Sequence, residues 1–157
     1  MVMEYLWLKI VHILGATLLF GTGLGTAFFM WRAHLSGDVR AIAVTGGNVV
    51  LADFLFTTPA VIVQPVTGVL LALETGAPLR EGWVLAALLL YGLTGACWLP
   101  VVWLQMRAHR LAKAAVAEGA ELPPLYYRTM RVWFRLGWPA FLSVIAIFYL
   151  MVFKPAL

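Results

Sequence analysis

Charge is scarce in this chain. Of its 157 residues only 11% are Asp, Glu, Lys or Arg, while 63% are hydrophobic. The mean hydropathy is +0.93. A soluble domain of this length could not hide so much apolar surface, so the composition implies an integral membrane protein. Cysteine is nearly absent. Cys97 stands alone, which excludes an intramolecular disulfide and a cysteine metal cluster and leaves it as a small helix-packing residue. Also missing are a Gly-rich phosphate loop, an HExxH zinc pattern and a Ser-His-Asp set that topology would permit. The common hydrolytic and phosphate-binding motifs are therefore excluded.

What the chain does have is four long uncharged runs, at residues 10–31, 54–73, 82–106 and 136–153. Each has about the length a helix needs to span a bilayer. A first segment followed by three more does not read as a removable signal peptide, and no small-residue cleavage site is suitably placed. The expected architecture is all-α: an integral membrane four-helix bundle, one domain over residues 1–157. There is no low-complexity segment and no convincing internal repeat.

The net charge of +4 does not point to nucleic acid, because the cations are segregated. Arg32 and Arg40 follow the first run. Arg107, Arg110, Lys113, Arg128, Arg131 and Arg135 lie between the third and fourth. Only Lys9, Arg80 and Lys154 fall on the other side. By the positive-inside rule both termini face outward, N-out and C-out. Arg128, Arg131 and Arg135, spaced three and four apart, form one stripe suited to anionic lipid headgroups.

Boundary signals refine the helices. The first runs from about Glu4 to His34, and Gly37-Asp38 reads as a turn. Residues 41–52 are mildly apolar and form a short helix leading into the second span. That span ends near Glu74, where Thr75-Gly76-Ala77-Pro78 stops it. The third runs from about Trp83 to Glu118, with Gly119 as its stop. Pro123-Pro124 prepares the fourth. Trp7, Trp31, Trp83, Trp103 and Trp133 fall near helix ends, as interfacial anchors do. Pro59, Pro65, Pro100 and Pro139 each remove one helix hydrogen bond. Gly21 and Gly25 make a GxxxG pair, which suits either packing within the chain or a homodimer.

His12 is the residue that most invites a functional reading. It sits about two turns into an apolar helix, and an ionisable group inside a bilayer segment marks a functional site by default. Gly15 and Ala16, one turn on, leave room for a flat ligand beside the ring. Neutral imidazole is a good axial ligand for haem iron. Lys9, one turn nearer the surface, and Arg80 are placed to neutralise propionates. Gln64, Thr67 and Tyr91 lie at comparable depth and Met151 a little further out, and any of them is a candidate to approach the iron. Gln64 and Tyr91 are the candidate pocket residues, though Gln64 could equally bond a neighbouring helix. The competing reading of His12 is a buried histidine bonded to a carbonyl freed by a proline.

His34 and His109 are placed a membrane thickness away, solvated or interfacial. Asp53 reads as the N-terminal cap of the second span, favoured by the helix dipole. Gln105 and Arg107 are its candidate partners.

The segments WLKIVHILGATLLFGTGLGTAFFM, LADFLFTTPAVIVQPVTG, GACWLPVVWLQMR and GWPAFLSVIAIFYLMVFKP resemble a family of predicted integral membrane proteins, DUF2269. The match covers all four spans. More weakly, YLWLKIVHI, FTTPAVI and VFKP look like the HemJ-type membrane protoporphyrinogen IX oxidases. That second resemblance implies haem b on the first-helix histidine, here His12. It also carries two departures. Ala87 stands where that family has a functional lysine, and Thr94 stands about where it has a histidine.

The sequence is therefore read as a haem b (iron) protein of the bacterial inner membrane, multi-pass. Its expected role is redox or electron transfer near the outer face, with quinone or another redox partner and membrane lipid around it. A protoporphyrinogen oxidase-like enzyme and a non-haem scaffold or small-molecule transporter are the alternatives.

Overall fold

The computed structural model describes residues 2–157 and consists of helices joined by short turns. The helices are α1 (Val2–Ser36), α2 (Val39–Ala52), α3 (Thr58–Glu74), α4 (Gly82–Glu118) and α5 (Pro124–Phe153). A single π-helical stretch, Asp53–Thr57, joins α2 to α3 without a break. Four helical units are long and apolar enough to cross a membrane: Met3–Ser36, Val39–Glu74, Gly82–Glu118 and Pro124–Phe153. The all-α, four-span architecture read from the sequence is the one observed.

The helix ends follow local chemistry. The Asp38 side chain accepts hydrogen bonds from the backbone N–H of Arg40 (2.8 Å) and Ala41 (3.2 Å), starting α2. Gly119 ends α4 at φ +62°, and the Ala120 N–H reaches back to the Ala115 carbonyl at 2.9 Å. A left-handed residue there favours glycine, so Gly119→Ala should cost about 1 kcal/mol in an unfolding titration. Pro124 occupies the first turn of α5, where its missing N–H costs nothing.

The second span departs from expectation. It starts at Val39, and Asp53 lies inside it, so Asp53 does not cap the start of the span. The π turn comes just before Pro59. A proline ring collides with the carbonyl four residues back, and a widened turn relieves that collision. The Thr58 hydroxyl donates to the Asp53 carbonyl at 2.9 Å, satisfying part of the loosened backbone. Pro65 leaves the Val61 carbonyl without its helical donor, and the Tyr91 hydroxyl of α4 supplies one at 2.6 Å. Tyr91→Phe should therefore lower stability by about 1 kcal/mol, measured as a shift in thermal unfolding in detergent.

Packing is densest at the end rich in basic residues. Met30, Ile42, Ala108, Ala112, Tyr126 and Met130 are buried there, with Leu104, Ala115 and Trp133 around them. Ala108, Ala112 and Ala115 repeat at helical spacing on α4, and small side chains let α5 and α2 approach closely. At the opposite end Trp83, Val84, Ala87 and Leu150 form a smaller cluster. Trp83 and Trp133 are thus core residues, while Trp7, Trp31 and Trp103 are exposed as expected of anchors. Between the two ends many Leu, Ile, Val and Phe side chains point outward, as a lipid-facing belt requires.

Candidate functional site

His12 is held between α1 and α3. Its Nδ1 lies 2.8 Å from the Thr67 hydroxyl oxygen, and its Nε2 lies 3.2 Å from Gln64 Nε2. The bonding pattern fits a ring protonated at Nδ1. The Thr67 hydroxyl donates into its own helix, to the Val63 carbonyl at 2.9 Å. Its free lone pair therefore accepts from His12 Nδ1–H. Nε2 is left as the acceptor, and the Gln64 amide donates to it. In this tautomer one ring nitrogen is anchored and the other presents a lone pair.

The neighbours explain how the ring fits. Gly68 faces it: a Cβ there would stand 3.2 Å from His12 Cε1. Gly15 is buried, and the space beside it is not open, contrary to the sequence-based expectation. The Gln64 Oε1 atom occupies it, so close that a Cβ on Gly15 would collide with it. That oxygen is the one buried side-chain polar atom among the described residues with no hydrogen-bond partner. Gly15→Ala should therefore expel the Gln64 carboxamide from its seat. The expected readout is a changed His12 ring environment by NMR, with little loss of folded protein.

The other candidate residues are placed as follows. Ala16 is half-buried on α1. Lys9 is exposed, with its ammonium 5.8 Å from the Tyr5 ring centroid. Arg80 is exposed beyond the end of α3. Tyr91 spends its hydroxyl on the Val61 carbonyl. Thr94 donates to the Leu90 carbonyl at 2.9 Å, and Ala87 is buried in the small cluster with Trp83 and Leu150. Among the described residues no group of three or more His, Cys, Asp or Glu side chains could hold a metal ion. The donor set at His12 is a single imidazole with both nitrogens partnered, too few ligands for a protein-only metal centre.

His34 and His109 are far from free. His109 Nδ1–H donates to the Ala43 carbonyl at 3.0 Å, and its ring lies against Gly46 and Gly47 of α2. His34 Nδ1 sits 3.2 Å from the hydroxyl of fully buried Tyr126, within a cluster of rings that includes Tyr127 and Phe134. Both are half-buried and pin helices together, so neither is a free, fully solvated group.

A second polar cluster lies at the π turn. Asp53 is 5% exposed. It accepts from the Thr57 hydroxyl at 2.8 Å and from the Gln105 amide of α4. Gln105 Oε1 in turn accepts from Trp133 Nε1–H of α5 at 3.4 Å. The expected Asp53–Gln105 pairing is present. Arg107 does not join it and instead lies over the Trp103 ring, 5.1 Å from its centroid. Three helical units are tied by neutral donors around one carboxylate. Trp133 gave no sign of this role in the sequence.

The family described as predicted integral membrane protein (DUF2269) matches residues 6–155. No curated protein and no solved structure gives a significant match.

Proposed function

The chain belongs to the DUF2269 family of predicted integral membrane proteins, and from that premise we propose that it binds haem b through His12 Nε2 and serves a redox or electron-transfer role. The observation that supports this is the anchored imidazole. Metal-ligating histidines characteristically donate their second N–H to a neighbouring acceptor, which fixes the tautomer and raises ligand basicity. Thr67 is that acceptor here. Gln64 is the movable part: it covers the Nε2 lone pair while its own Oε1 is unpaired. Rotation of that carboxamide would uncover Nε2 and could bring Oε1 to a donor. When bound, haem supplies one-electron chemistry at its iron. Lys9 and Arg80 are the cations available to its propionates.

The proposal also has a sidedness. With both termini outside, His12 lies on the order of 10 Å into the outer leaflet, and quinone or a periplasmic partner is the natural exchange partner. In this reading the membrane is a bacterial inner membrane. Single cysteines on a Cys97→Ser background test it. Met3→Cys should react with a membrane-impermeant maleimide in intact cells, and Ser36→Cys only after lysis. The reverse pattern would invert the topology.

The test of cofactor binding is a haem titration of the purified protein. A Soret band saturating at one haem per chain is expected, and a protein that stays colourless after haem supply would overturn the reading. A protoporphyrinogen oxidase-like enzyme is the closer alternative, and buried Ala87 disfavours it because that position cannot supply the lysine. One observation favours a scaffold reading without haem: both His12 nitrogens already have partners on α3. That reading predicts no chromophore and tolerance of His12→Gln.

A further inference from the structure

Gly21 and Gly25 do not pack against the rest of the chain. A Cβ built on either meets no atom within 4 Å. Both line an open groove of about 690 Å³ between α1 and α2. Small residues floor it, and Arg32, Ser36, Thr45 and Asn48 lie toward its far end. We propose that this groove is a binding site for one anionic glycerophospholipid, with the phosphate on Arg32 and an acyl chain along Gly25 and Gly21.

Dimensions support the choice of occupant. From Gly21 to Ser36 the α1 wall is about 22 Å long at 1.5 Å per residue. One leaflet with its headgroup layer is about 20–22 Å deep. The groove therefore runs the depth of a single lipid. Spread over that length, its volume gives a narrow cross-section of about 31 Å², which suits a single acyl chain lying along the groove.

Charge points the same way. Arg32 is exposed and has no ion-pair partner among the described residues. Its planar fork matches a phosphate bidentately. A helix face laid over this end would bury that cation and the Asn48 amide without partners, which is costly in a membrane. The Arg32 end also carries Arg40 and the Arg128–Arg131–Arg135 stripe, a setting that concentrates anionic lipid. The site is independent of His12 and of any cofactor there.

Native mass spectrometry of the protein released from nanodiscs of mixed phosphatidylglycerol and phosphatidylcholine tests the assignment. One retained phosphatidylglycerol per chain is expected, favoured over phosphatidylcholine. Arg32→Gln should lower its retention about fivefold, the effect of losing one phosphate contact. Gly25→Leu, which fills the groove, should abolish it, and Lys113→Gln, at an exposed cation outside the groove and the stripe, should leave it unchanged. If Gly25→Leu does not fold, Arg32→Gln still decides. Equal retention of the two lipids, or retention indifferent to Arg32, overturns the proposal. So does a dimer in the spectrum that Gly25→Leu dissociates, since a second copy would then be the occupant.

Discussion

Replacing Thr67 with Val should weaken haem binding by about 10- to 100-fold while leaving the bundle folded. That is the usual size of a lost outer partner of a metal-bound histidine. The physical reason is specific. Thr67 accepts the His12 Nδ1 proton at 2.8 Å and itself donates to the Val63 carbonyl. Val is close to isosteric, so the helix contact survives and only the acceptor is lost. The imidazole then becomes a weaker base and stabilises ferric iron less. The reduction potential should rise along with the dissociation constant. A merely structural role for Thr67 would change thermal stability and leave the potential of the bound haem where it was. Redox titration of the variant separates the two.

Asp53→Ala should be the most destabilising single substitution in the polar network, by about 3 kcal/mol. It removes the acceptor of both Thr57 and Gln105 in a site only 5% exposed. Each buried donor left unsatisfied costs about 1–3 kcal/mol. Gln105 is also the acceptor for Trp133, so the loss loosens α4 and α5 together. Asp53→Asn should cost less, about 1 kcal/mol. It keeps an acceptor for Thr57, and Gln105 can turn its carbonyl toward the new amide at the expense of the long Trp133 bond. Unfolding in a denaturing detergent, followed by Trp133 fluorescence against a Trp133→Phe control, reads both effects. Wild-type stability in Asp53→Ala would show that the carboxylate does not organise this end of the bundle.

Much of the fold was legible because the membrane simplifies the problem. Runs of uncharged residues must be helices when no water can satisfy the backbone. Gly119, Pro123-Pro124 and Thr75-Gly76 acted on the chain where local stop and start signals placed them. The misreadings were all about what lies beside a residue. Asp53 looked like a cap because the run of uncharged residues begins after it. In the structure the chain stays helical from α2 into the π-helical stretch that begins at Asp53, whose side chain is buried there. Trp133 lies nine residues into α5 and is buried in the large cluster, and Trp83, in the first turn of α4, is buried against Leu150.

The site was legible in part. His12 and Gln64 were singled out as polar groups in an apolar setting, and the structure brings them together. Thr67 and Gly68 follow Gln64 by three and four residues, so they share its face. Sequence could not tell that Gln64 fills the space left by Gly15, because that depends on the register between α1 and α3. Nor could it tell that Tyr91 is occupied with the carbonyl freed by Pro65.

The central claim is that His12 Nε2 is an iron ligand. It is tested most directly by comparing absorption spectra of wild-type and His12→Ala protein, both given haem and recorded oxidised and reduced. The account predicts a Soret band that shifts on reduction in the wild type and is lost in His12→Ala, with helical content unchanged by circular dichroism. A band of equal intensity and position in His12→Ala would contradict it.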